Sequence, residues 1–109
     1  MLGELQAYAG STVLTLHGEL DMLTVEPLRR LLDKACAGNP ATVIVDLSDV
    51  PFIDVLSLSA ILATADAMRE QGSSVVVSGA SGSVRRICAM LNAKDILAPV
   101  LPTPRVAAN

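Results

Sequence analysis

An α/β domain is predicted, with a mixed sheet of about four to five strands and helices packed against it in the order ββαβαβα. Three observations carry that prediction. Two short apolar runs rich in β-branched residues, "TVIVDL" (Thr42 to Leu47) and "SVVVSG" (Ser74 to Gly79), have the pattern of buried strands. The segments between and beside these runs carry apolar residues at helical spacing, and helix crossovers between buried strands imply layering of helices on a sheet. Finally, 51% of the 109 residues are hydrophobic, yet the only aromatics are one Phe and one Tyr, so the core must be aliphatic. A chain of this length fits one compact domain, because a second core would need roughly another hundred residues.

Leu2 to Ala9 alternates loosely and reads as a first strand, and "GS" at Gly10 and Ser11 signals a turn. "TVLTLHG" then gives a clearer strand, with Thr12, Leu14 and Leu16 on one side and Val13, Thr15 and His17 on the other. The two form a hairpin at one side of the sheet. After "GELDML", Thr24 is the expected N-cap of a helix, with Glu26 in the first turn and Pro27 early enough to be tolerated. Leu28, Leu31, Leu32, Ala35 and Cys36 form its apolar stripe, and "GNP" (Gly38 to Pro40) ends it. The run Thr42 to Leu47 is expected to be covered on both faces. A second helix begins near Asp54, carries Leu58, Ile61, Leu62, Ala65 and Met68 on one stripe, and stops at Gly72. Ser81 caps a third helix with the stripe Val84, Ile87, Cys88 and Leu91. The domain is assigned to residues 1–98, with room for a final short strand, and the Pro-containing residues 99–109 to a loose tail.

Composition excludes several function classes. Eight basic against eleven acidic residues give a net charge of −3 without a basic block, so no footprint for nucleic acid or an anionic membrane is present. Base-stacking modules also need exposed aromatics. The apolar runs are shorter than the roughly 18 residues of a membrane span, and the N-terminus lacks the regions of a signal peptide. A cytoplasmic protein without direct membrane insertion is expected. Cys36 and Cys88 are too few and too far apart for a disulfide scaffold, and with one histidine they do not complete a metal site. Inert buried thiols are the expected role, with a redox role as the alternative. No cofactor is expected.

Asp21, Asp46, Asp54, His17, Ser57 and the thiols supply the groups of a catalytic list but no catalytic arrangement. His17 lies within a strand, where a structural or surface histidine is commoner than a general base. No G-x-S-x-G elbow surrounds Ser57 or Ser59. Asp46 ends a strand, where a turn-stabilising carboxylate is the usual outcome. "SGASGS" (Ser78 to Ser83) joins a strand to a helix but lacks the lysine of a phosphate-binding loop, and Arg85 and Arg86 lie inside the helix. It reads as a tight turn.

The decisive stretch is "FIDVLSLSAIL", Phe52 to Leu62. Asp54 at the helix start accepts hydrogen bonds from Leu56 or Ser57 and opposes the dipole. Capping leaves the apolar pair Val55 and Leu56 in the first turn unexplained. Val55 falls near the side of the buried stripe, whereas Leu56 is turned about 100° from it and is expected to be partly exposed, as contact surfaces often are.

"GELDMLTVEPLRRLL", "VIVDLSDVPFIDVLSLSAIL" and "GASGSVRRICAMLNAKDIL" resemble three successive landmarks of STAS domains, in particular bacterial anti-sigma-factor antagonists. The resemblance runs from about Val13 to Leu97. It implies a STAS-like mixed sheet and a non-enzymatic protein that binds an anti-sigma factor of the GHKL kinase type, influencing transcription by partner switching. In that family a serine at the helix start is phosphorylated by the partner, which weakens binding. Here Asp54 keeps the acid, Val55 and Leu56 replace two serines, Ser57 and Ser59 replace two glycines, and Leu56 stands where phosphate is accepted.

The resemblance implies a partner-binding surface of Asp21, Asp54, Val55, Leu56, Ser57 and Ser59, on the loop Glu19 to Thr24 and the start of the second helix. It admits three readings: a binding module that phosphorylation cannot switch off at Leu56, a module phosphorylated instead at Ser57 or Ser59, and a STAS subunit of a lipid-transport or other signalling complex. Assembly as a homodimer is left open.

Overall fold

A computed structural model describes residues 2–98. Strands β1 (Gly3–Tyr8), β2 (Ser11–His17), β3 (Thr42–Asp49) and β4 (Ser74–Ser78) form one sheet in the order β1-β2-β3-β4. The β1–β2 hairpin is antiparallel, and β2–β3 and β3–β4 are parallel. Helices α1 (Val25–Cys36) and α2 (Val55–Glu70) are the crossovers, and α3 (Gly82–Met90) follows β4. A 3₁₀ turn, Lys94–Ile96, leads to a single parallel bridge between Leu97 and Val77, where the final short strand is expected. The proposed tail, residues 99–109, lies outside the described residues.

The core follows from the two periodicities. Leu14 and Leu16 of β2, Val43, Val45 and Leu47 of β3, and Val75 and Val77 of β4 alternate inward. Leu28, Leu32 and Ala35 of α1, and Leu58, Ile61, Ala65 and Met68 of α2, cover them at helical spacing. Val84 and Cys88 seal the end near α3. Leu31, Cys36, Leu62 and Ile87 of the expected stripes lie at the margin and are only partly buried. Leu91 is exposed, because α3 ends at Met90.

β3 is not covered on both faces. Its burial alternates, with Thr42, Ile44 and Asp46 half-buried between fully buried neighbours. The sheet advances in one direction from β2 to β4, so right-handed crossovers bring their helices to the same side. The other face carries the row Gln6, Val13, Ile44 and Val76, neighbours in register whose side chains shield one another.

Two glycines are required by close approach. A Cβ on Gly3 would meet the Thr15 carbonyl oxygen at 2.7 Å and a Leu16 methyl at 2.8 Å, so β1 could not lie as it does against β2. Gly79 has a φ of +69°, and a Cβ there would stand 2.8 Å from that of Ser48. The "SGASGS" stretch is therefore a turn packed against the end of β3, after which Ser81 caps α3 by accepting the Val84 N–H at 3.3 Å.

Candidate functional site

The pairing of β2 with β3 resumes beyond both strands. Gly18 donates its N–H to the Asp49 carbonyl at 3.0 Å, Leu20 donates to that of Phe52 at 3.0 Å, and Asp54 donates to that of Leu20 at 2.9 Å. Leu20 and Ile53 form a parallel bridge and are fully buried. The segments that follow, Asp21 to Thr24 and Asp54 onward into α2, are thereby fixed side by side at one end of the sheet.

Asp21, Thr24, Asp54 and Ser57 all direct their side chains to the backbone at this end. Asp54 caps α2, its Oδ1 accepting the Ser57 N–H at 2.8 Å. Asp21 Oδ1 accepts the Leu23 N–H at 3.0 Å, an Asx-type turn. Thr24 occupies the N-cap position of α1 but does not cap it with its side chain. Its hydroxyl instead donates to the Asp21 carbonyl at 3.1 Å and accepts the Asp21 N–H at 3.0 Å, because the turn holds it there. Ser57 is fully buried, with its hydroxyl directed at the Asp21 carbonyl at 3.4 Å. It is a strut between loop and helix, which removes it from the surface expected to meet a partner or accept phosphate. Ser59 is exposed, beside Arg29 and Asp33 in a shallow cleft between α1 and α2.

The apolar residues, by contrast, face solvent. Leu56 is 46% exposed, as expected from its angular position. Val55 is 54% exposed, contrary to its expected side, because the first turn of α2 overhangs the core and Leu20 and Ile53 already close that end. Three further exposed apolar residues were not singled out by the sequence reading: Leu23, 84% exposed, and Met22, 71% exposed, both inside the expected loop Glu19 to Thr24, and Phe52. Their signal was present in "DML", where two large apolar residues stand in a loop outside any stripe, and in the placement of the sole Phe beside a helix start. Monomeric surfaces scatter single apolar residues, whereas here five stand exposed on two adjoining segments.

The remaining polar groups and thiols that the sequence offered for chemistry lie elsewhere in the fold. A cleft of 660 Å³ between α2 and the β4–α3 side has no histidine or thiol in its lining, and its Asp66 and Arg69 pair with each other at 2.9 Å. Asp46 accepts the Ser48 N–H at 2.9 Å, which makes it a turn carboxylate. Burial pushes the pKa of both the Cys36 and the Cys88 thiol above its ordinary range. Among the described residues no cluster of His, Cys, Asp and Glu is placed to hold a metal, and no helix is long and apolar enough to cross a membrane.

A family model, the STAS domain, matches residues 4–107. The chain belongs to the STAS domain family. This STAS domain is 34% identical over 77 residues to the anti-sigma-F factor antagonist RsfB of Mycobacterium tuberculosis, a match covering 71% of the chain and 62% of that protein's length. Among solved structures, it resembles an anti-sigma factor antagonist from Mycobacterium paratuberculosis with a TM-score of 0.80 and 24% identity, over 91% of this chain and 86% of the other. It also resembles the anti-sigma factor antagonist SpoIIAA in its unphosphorylated form, with a TM-score of 0.78 and 19% identity, over 95% and 92% of the two chains. At those identities the structural likeness establishes a shared fold.

Proposed function

We propose that this STAS domain is an anti-sigma factor antagonist-like binding module that engages an anti-sigma factor of the GHKL kinase type and so influences sigma-factor-dependent transcription. The observation that carries the reading is the apolar surface at the start of α2, where Leu56 stands exposed on a helix turn that Asp54 fixes by capping. The relatives described as antagonists support the class of partner. Catalysis is no part of the reading, since binding alone accomplishes partner switching.

Leu56 determines how such a module is controlled. A phosphate dianion at an apolar contact brings charge that the interface must desolvate, which is how modification releases a partner. A leucine side chain has no oxygen to accept phosphate, so contact through this position is constitutive with respect to the kinase. Ser59 is the remaining hydroxyl of the first two turns with an exposed side chain, but it lies one turn deeper.

The test pairs calorimetry with mass spectrometry. Leu56→Glu introduces the missing charge at an exposed position and should leave stability within about 0.5 kcal/mol while weakening binding to the anti-sigma factor by about tenfold or more. Unchanged affinity would remove the helix start from the interface. Incubation with ATP and candidate kinases should leave the mass of the chain unaltered, and a phosphate on Ser59 would replace the constitutive reading with a displaced switch. Co-purification with a membrane ATPase instead of a GHKL kinase would move the domain to a transport complex.

A further inference from the structure

At the root of the docking loops, on the opposite side of the sheet from the helices, one imidazole joins three strands. His17 ends β2, and its Nδ1 lies 2.7 Å from Asp49 Oδ2 of β3 while its Nε2 contacts Glu4 Oε1 of β1. A local irregularity in the backbone makes this possible. Thr15 pairs with Asp46 but His17 pairs with Asp49, so β3 contains one extra residue between them. Strict alternation from the half-buried Asp46 and buried Leu47 would direct Asp49 inward. The extra residue turns Asp49 outward beside the ring, as bulges commonly re-aim a side chain.

The electrostatic surroundings have one sign. Every described lysine and arginine lies on α1, α2, α3 or the 3₁₀ turn, and the strands carry Glu4, Asp46 and Asp49 with His17 as their single base. Glu4 faces the ring from β1 and Asp49 from β3. Asp46 lies one register pair away, its carboxylate engaged with the Ser48 N–H, and Glu19 follows in the loop. The helices occupy the other face. Because the two carboxylates sit on opposite ring nitrogens, they do not converge on a metal position. They satisfy both N–H donors of an imidazolium, whereas a neutral ring has only one to give.

We propose that Glu4, His17 and Asp49 form a proton-controlled clasp that fastens the edge strand β1 and the root of the Gly18 to Thr24 loop to β3. Among the described residues strand β1 pairs only with β2, so the clasp adds a direct tie across β2 to the strand beyond. The hydrogen bonds to Glu4 and then Asp49 raise the His17 pKa above its ordinary 6.5. A raised pKa means that the stabilisation is fully present below 6.5 and is lost as pH rises through the folded-state value. Loss of the proton removes one donor and leaves two carboxylates facing each other across a neutral ring.

The test uses the free full chain and is independent of any partner. NMR titration of the His17 ring should give a midpoint above 6.5, lowered in Glu4→Gln. Hydrogen-exchange protection of Gly3 to Tyr8 and Leu20, corrected for intrinsic exchange, should fall by about two- to fivefold as the ring deprotonates, the size expected of exposed ion pairs. That step should be absent from His17→Gln. A midpoint at or below 6.5, no step in protection, or a step that persists in His17→Gln would overturn the clasp. Glu4→Gln keeps the histidine and the backbone register, so its altered midpoint tests the idea even if His17→Gln frays the hairpin.

Discussion

The open face of the sheet and the end where α2 begins are both exposed to solvent, yet they obey opposite rules. On the open face, alternation sends Glu4, Thr15, Thr42, Asp46, Ser74 and Ser78 outward, while Val13, Ile44 and Val76 shield one another in a single row. At the end of the sheet, Met22, Leu23, Phe52, Val55 and Leu56 face outward, and the polar Asp21, Asp54 and Ser57 are turned back to bind the chain. A face meant for water places polar groups outward. Under the proposed function, the surface that uses its polar groups internally and presents hydrocarbon is the one that receives the partner, and its fixed backbone limits the ordering entropy of binding.

The contrast can be broken from beneath. Ile53 is fully buried under the end surface and belongs to the bridge that holds the two loops together. Ile53→Ala should destabilise the domain by about 2–5 kcal/mol, the usual range for truncating a buried large aliphatic. Urea denaturation checks this, and a loss below about 1 kcal/mol would show that the end closes without its buried floor. A smaller effect is expected at the cap. Asp54→Ala should cost about 1 kcal/mol, whereas Asp54→Asn retains a cap acceptor and should cost much less. If both variants weaken partner binding equally without a matching difference in stability, the carboxylate charge contacts the partner and the cap alone is an insufficient account of Asp54.

The same contrast explains what was legible in the sequence. Strands and helices came from periodicity because Leu14, Leu16, Val43, Val45, Leu58 and Ile61 obey the spacing of the elements that bury them. Coverage of β3 on both faces was misjudged because Ile44 and Val76 are as apolar as their buried neighbours, and only the direction of the crossovers reveals that no helix lies over them. Asp54 and Leu56 were readable from a cap and an angle within one helix. The loop of Met22 and Leu23 was expected at this end, but its exposed side chains and the burial of Ser57 were not, since they depend on how two segments some thirty residues apart are joined through Leu20 and Ile53. The Glu4–His17–Asp49 arrangement was hidden for a related reason, because an extra residue in β3 changes which side chain meets the ring.

The smallest stability effect provides the sharpest discrimination between an interface and an incidental apolar loop. Among the described residues Leu23 is the most exposed large apolar one, and its N–H is held by Asp21 whatever side chain it bears. Leu23→Ser should therefore change unfolding free energy by less than about 0.5 kcal/mol. Its effect on binding depends on the site. A contact residue near the centre of an interface loses more than about 1 kcal/mol when truncated, or roughly a fivefold loss of affinity, whereas a rim residue loses little. The companion measurement is Thr15→Val on the open face, which adds hydrocarbon where solvent requires polarity and should leave anti-sigma factor binding unchanged. A loss at Leu23 with no change at Thr15 confines recognition to the end surface. Equal effects at both would mean that apolar exposure anywhere on this domain promotes association, and the distinction between the two regions would lose its functional meaning.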